Sequence, residues 1–118
     1  MARGFVNVGG GGSSSSGTIT EQTGASYTLA LADANTWIEM NSASAQTVTV
    51  PTNAAVAFPV GTEIIIIQKD AGQTTISGDG GVIVNSYDSE DKTYGQYAVA
   101  GLKKAATDTW YLFGNLTA

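Results

Sequence analysis

The chain contains no cysteine and no histidine. Disulfide scaffolds, thiol nucleophiles, zinc fingers and every histidine-based acid–base mechanism are therefore closed to its own side chains. Charge is scarce as well. Five basic and ten acidic residues among 118 give a net charge of −5, and charged residues make up 13%, roughly half the usual quarter. Five basic residues do not build the clustered patch that a phosphate backbone requires, so no nucleic-acid partner is expected. An apolar share of 42% excludes a disordered solvating tail. Long apolar runs are also missing. The run Ile64–Ile67 spans four residues, far below the roughly 20 of a membrane helix, and no apolar stretch of signal-peptide length precedes the glycines at position 9. No membrane partner is expected, and the protein is expected to be made in a cytoplasm and to leave it by lysis or inside a larger particle.

What is present divides sharply at residue 17. Gly9–Gly17 is a pure Gly/Ser tether without packing side chains. Before it stand residues 1–8, whose apolar members are Phe5, Val6 and Val8. A tether that separates a few apolar residues from a folded domain suggests a docking peptide. A frayed terminus and an expression scar with an engineered linker are two other readings of the same residues.

Residues 18–118 read as one β domain. Tyr27, Leu29 and Leu31 alternate with Thr28 and Ala30, a period of two. Residues 36–40 form a second expected strand with Ile38 and Met40 on one face, and 47–50 a third, stopped by Pro51. Residues 53–59 are an expected loop anchored by Val56 and Phe58. In 62–69, four consecutive β-branched residues, Ile64, Ile65, Ile66 and Ile67, suit burial on both faces, as in a central sandwich strand or a subunit interface. Further strands are expected at 73–76, 82–84, 96–100 and 109–113, with Gly78–Gly81 as a turn and 87–92 as an exposed loop. Leu102–Ala106 is either a single helical turn or a strand edge guarded by Lys103 and Lys104. Turn signals every 8–12 residues and no secure helical stripe give an all-β fold, a small β-sandwich or jelly-roll-like barrel with a flexible N-terminal arm. Trp37, Trp110 and Phe113 are expected in its core, because a domain of about 100 residues without disulfides needs its large apolar groups for packing.

Enzymatic chemistry finds little to work with. A glycosidase needs only two carboxyl groups, but Asp70, Asp79, Asp88, Glu90, Asp91 and Asp108 fall in turns, where acidic residues collect for conformational reasons. Glu39 and Glu63 lie in strands where alternation lets both face solvent. No Gly-x-Ser-x-Gly elbow or Walker loop occurs. Asp88, Glu90 and Asp91 are the one cluster to weigh for calcium, and an exposed hairpin tip explains them equally well. Tyr87, Tyr94 and Tyr97 flank that loop and are candidates for glycan contact by stacking. No catalytic residue, cofactor or metal ligand is assigned.

The stretch Pro59–Val82, with Pro59-Val-Gly-Thr62, Ile64–Gln68, Gly72-Gln-Thr-Thr-Ile76 and Gly80-Gly-Val82, resembles a recurring module of tailed-bacteriophage fibre and head-decoration proteins. The ending Tyr97…Trp110-Tyr-Leu-Phe-Gly-Asn-Leu116 is similar to the close of the same module, and Tyr27-Thr-Leu29 with Thr47–Pro51 to its opening strands. The resemblance spans residues 26–118. It implies a non-enzymatic virion structural protein, often a homotrimer, partnered by a phage capsid or tail protein and located in the virion. Because a short peptide and tether rather than a long shaft precede the module, it implies a capsid decoration or head fibre docked through Phe5, Val6 and Val8. The alternative is the receptor- or glycan-binding tip of a tail fibre, using Tyr87, Tyr94 and Tyr97 on a host-surface glycan. The charge-poor composition and the Ile64–Ile67 strand also suit a symmetric interface, since obligate interfaces resemble a core cut in half.

Overall fold

Short β-branched runs punctuated by Asx and glycine turns fold into strands that each bury one side. The computed structural model describes residues 18–118. The peptide 1–8, with Phe5, Val6 and Val8, and the linker 9–17 lie outside the described residues. Among the described residues the strands are β1 (Ile19–Gln22), β2 (Ser26–Thr28), β3 (Trp37–Met40), β4 (Gln46–Val50), β5 (Glu63–Gln68), β6 (Thr74–Gly78), β7 (Ile83–Asn85), β8 (Lys92–Thr93), β9 (Val99–Ala106), β10 (Thr109–Gly114) and β11 (Leu116–Thr117). They make a six-stranded sheet, ordered β1-β3-β5-β9-β10-β7, packed on a five-stranded sheet, ordered β11-β8-β6-β4-β2. The fold is an all-β sandwich.

The pairing within it is unusual for a small sandwich. From β1 to β6 the chain alternates between sheets, so β1, β3 and β5 stack in parallel in one sheet while β2, β4 and β6 stack in parallel in the other. Each parallel return runs through a strand of the opposite sheet, which supplies the crossover that parallel neighbours require. The result is a coil of stacked turns, closed by the antiparallel strands β8, β9 and β10. An antiparallel jelly roll or closed barrel, the second architecture expected from sequence, has no such parallel triplets, and a closed barrel has no free edges like those at β1, β2, β7 and β11.

The core follows from the register. Ile38 pairs with Ile66 and Ile66 with Ala100, while Ile64 pairs with Leu102 and Leu102 with Leu112. These residues point inward and are buried, and Val48, Val50 and Ile76 meet them from the other sheet. Trp110 closes one end, edge-on to Phe58 with ring centroids 5.5 Å apart and planes at 86°.

Four local expectations are corrected. The strand expected over 27–31 ends at Thr28, because the Asp33 carboxylate accepts the Ala30 N–H at 2.8 Å and the Tyr27 hydroxyl at 2.7 Å. That pull turns the chain into a 3-10 turn, Leu31–Asp33, with Leu31 exposed. Residues 102–106 are neither helix nor edge: β9 lies between β5 and β10, with Lys103 outward and Lys104 buried. Trp37 and Phe113 are not core. They share strands with the inward Ile38, Met40 and Leu112 but have the opposite parity, so they lie on the outer face, 40% and 46% exposed. Trp110 does enter the core.

Two predictions follow from this placement. Ile66→Ala is expected to lose about 2–5 kcal/mol of unfolding free energy in urea titration, while Ile65→Ala, on the outer face of the same strand, loses only about 1 kcal/mol. Equal losses would contradict the assigned faces. Burial, with the hydrogen bond to Asp33 second, raises the Tyr27 phenol from its ordinary 10.0 to about 12. A raised folded-state value stabilises below the unfolded value and is lost above it, so this contribution is complete below pH 10 and disappears as pH climbs toward 12. An ultraviolet titration should show a tyrosine ionising near 12 that Tyr27→Phe abolishes.

Candidate functional site

The two outer faces of the sandwich differ in chemistry. On the five-stranded sheet, register places Ser26 beside Thr47, Thr47 beside Thr75 and Thr75 beside Lys92, with Thr28, Thr49 and Ser77 forming a second row. That face is a hydroxyl ladder, content in water. On the six-stranded sheet, one row runs Ile19, Trp37, Ile65, Gly101, Phe113 across five neighbouring strands. Ile19 is 57% exposed, and Tyr111 and Ile83 extend the apolar surface toward β7.

Local geometry builds this row. Gly101 has no side chain, and the Phe113 ring lies over it in the space a Cβ would occupy. The following residue, Gly114, holds φ +126° against the Val99 carbonyl, a backbone conformation that L side chains rarely adopt. The far end of the aromatic ring thus rests on β9, while the side chain as a whole stays 46% exposed.

Polar residues border the row. On one side Glu21 and Glu39 face each other across β1 and β3, and Lys69 Nζ reaches both carboxylates at 3.3 Å. Hydrogen bonds from Asn41 and Lys69 lower the Glu21 carboxyl, and the same two carboxylates raise the Lys69 ammonium. On the other side Glu63 sits opposite Lys103. An apolar stripe rimmed by charged pairs has the anatomy of a protein–protein contact.

The residues singled out from sequence scatter. Ile64 and Ile66 are wholly buried in the core, and of the four isoleucines only Ile65 and Ile67 reach the outer face. Tyr87, Tyr94 and Tyr97 are all exposed, and Tyr94 lines a groove of about 420 Å³ together with Gly95, Gln96, Asn115 and Leu116. Asp88 and Ser89 take positive φ in a 3-10 turn, Tyr87–Ser89, and Asp91 pairs with Lys92 at 3.1 Å. Among the described residues no three acidic side chains converge as a metal site. Asp70, Asp79 and Asp108 each accept a backbone N–H from a turn or loop, at Ala71, Gly80 and Asn53 respectively.

Sequence reasoning missed Trp37 and Phe113 as surface residues, although a signal was present. Placing Ile38 and Met40 inward by alternation already places Trp37 outward. No protein-family model, characterised protein or solved structure matches this chain.

Proposed function

We propose that this protein is a non-enzymatic virion structural module of a tailed phage, a capsid decoration or head fibre, which assembles with copies of itself through the outer face of its six-stranded sheet. The observation that carries the assembly reading is the apolar row Ile19–Trp37–Ile65–Phe113, exposed at Ile19, Trp37 and Phe113 and half-buried at Ile65, while the opposite face carries only hydroxyls and Lys92. Keeping two aromatic rings in water has no benefit to a lone domain, and covering them with a second copy removes that cost. The phage setting rests on the resemblance of residues 26–118 to fibre and head-decoration modules, and the trimer on the habit of those modules. Attachment to the particle is assigned to Phe5, Val6 and Val8.

A second reading, the glycan-binding tip of a tail appendage, draws on Tyr94 at its groove, where Gln96 and Asn115 offer amides to sugar hydroxyls beside a ring for stacking. Saturable binding on a glycan array, lost in Tyr94→Ala, would favour it.

Light scattering on the full chain should give about three times 12.0 kDa. The double variant Trp37→Ser, Phe113→Ser, which touches no buried core residue, should give a folded species near 12.0 kDa. A monomeric parent chain, or a trimer that tolerates both changes, would refute the assembly face.

A further inference from the structure

Lys104 is the one buried basic residue among the described residues, 3% exposed, on the inward side of β9 beside Trp110. Its Nζ donates to the Asn53 side-chain oxygen Oδ1 at 2.6 Å and to the Phe58 carbonyl at 2.7 Å. Among the described residues no carboxylate lies within ion-pair distance of it; the three ion pairs there involve Lys69 and Lys92. Buried charges are ordinarily paired with an opposite charge, because two neutral oxygens do not replace the solvation an ammonium loses. The amine is thus held against a carboxamide in an aromatic-lined end of the core, where Phe58 and Trp110 meet edge to face.

Asn53 is held from the other side. Its backbone N–H donates to Asp108 Oδ1 at 2.7 Å, tying the loop after β4 to the β9–β10 turn. Asp108 itself sits at φ 52°, in the left-handed region. With Nζ at 2.6 Å from Oδ1 and a carbonyl bond of about 1.23 Å, the Asn53 carboxamide carbon is no more than about 3.8 Å from the nitrogen. That is close to the separation from which bond formation between positioned groups proceeds, about 3–3.5 Å.

We propose that Lys104 and Asn53 are the two halves of an intramolecular isopeptide crosslink. The Lys104 Nζ attacks Asn53 Cγ, forming a C–N amide bond, and the Cγ–Nδ2 bond breaks. Of the three protons on the ammonium, one remains as the new amide N–H and two pass to the departing nitrogen, which leaves as ammonium ion. Atoms and charge balance with no oxidant, metal or co-substrate. The product retains a donor for the Phe58 carbonyl and removes the unpaired charge from the core. It also joins β9 covalently to the loop after β4. The inference is independent of the assembly face and of the phage reading.

The test is the intact mass of the purified full-length chain, measured denatured. The expected value lies about 17 Da below the sequence mass, the mass of one ammonia. Trypsin should then yield a branched peptide joining residues 4–69 to 104–118, since an acylated Lys104 resists cleavage. Asn53→Ala, at a half-buried loop position, and Lys104→Met should each restore the full sequence mass. A parent chain at its full mass, or one whose loss of ammonia maps to a linear peptide with Lys104 free, overturns the proposal. Because the parent chain alone decides the outcome, a variant that fails to fold does not weaken the test.

Discussion

Every other feature of this molecule depends on the inward row Ile38–Ile66–Ala100 and its neighbour Ile64–Leu102–Leu112. A sheet five or six strands wide is stable only if one face is withdrawn from water, and side chains alternate strictly, so fixing these residues inward fixes the parity of β3, β5, β9 and β10 together. A slip of one residue in any of them would expose isoleucine and bury Glu39 or Lys103. The penalty for that exchange, several kcal/mol, exceeds what any loop contact supplies. Register is therefore dictated by the core, and the turns adapt to it, as the positive φ values at Asn35, Asp88, Tyr97 and Asp108 indicate.

Once parity is fixed, the outer faces are no longer free to vary. The chain carries apolar residues on both parities in β3, β5 and β10, and the second set must emerge on the far side of the sheet. In the five-stranded sheet the outward parity is Thr and Ser, residues that favour strands through branching or tolerate them while remaining wettable. In the six-stranded sheet it includes Ile19, Trp37, Ile65, Ile67, Tyr111 and Phe113, bordered by Glu21, Glu39, Glu63 and Lys103. The same backbone rule acting on two compositions yields one face suited to solvent and one that is suited to a partner.

Much of this was legible before any coordinates. The strands within 36–40, 47–50 and 62–69, the stop at Pro51 and the glycine turn near 80 all appear where expected, since each depends on neighbours in sequence, although Ile64–Ile67 alternates between faces instead of being buried on both. The parallel pairing of β1, β3 and β5 was not legible, because a strand's period is two whichever way its neighbour runs. The edge strands β1 and β11 and the inner strand β8 are short and largely polar, and only a partner strand makes them β. For Trp37 and Phe113, aromatic size was weighted above parity, although parity is the stronger constraint within a strand. The partner of Lys104 lay out of reach for a different reason. It is 51 residues away in a loop, and nothing local to either residue announces the other.

With so few charges in the chain, where each basic side chain sits is informative. Lys69 lies between two carboxylates that would otherwise repel across adjacent strands, and Lys92 pairs with Asp91 at a strand start. Lys103 emerges opposite Glu63. In each case an acidic neighbour accounts for the position. Lys104 has the same parity as Leu102 and Ala100, so the register that buries those residues also buries it, and no acid follows it inward. An aliphatic residue would satisfy packing there at lower desolvation cost, and a charge needed merely to hold the Phe58 carbonyl could have been a neutral donor. What a lysine offers that these do not is a nucleophilic nitrogen at the end of a long reach, set by the core's own register against the carboxamide of Asn53.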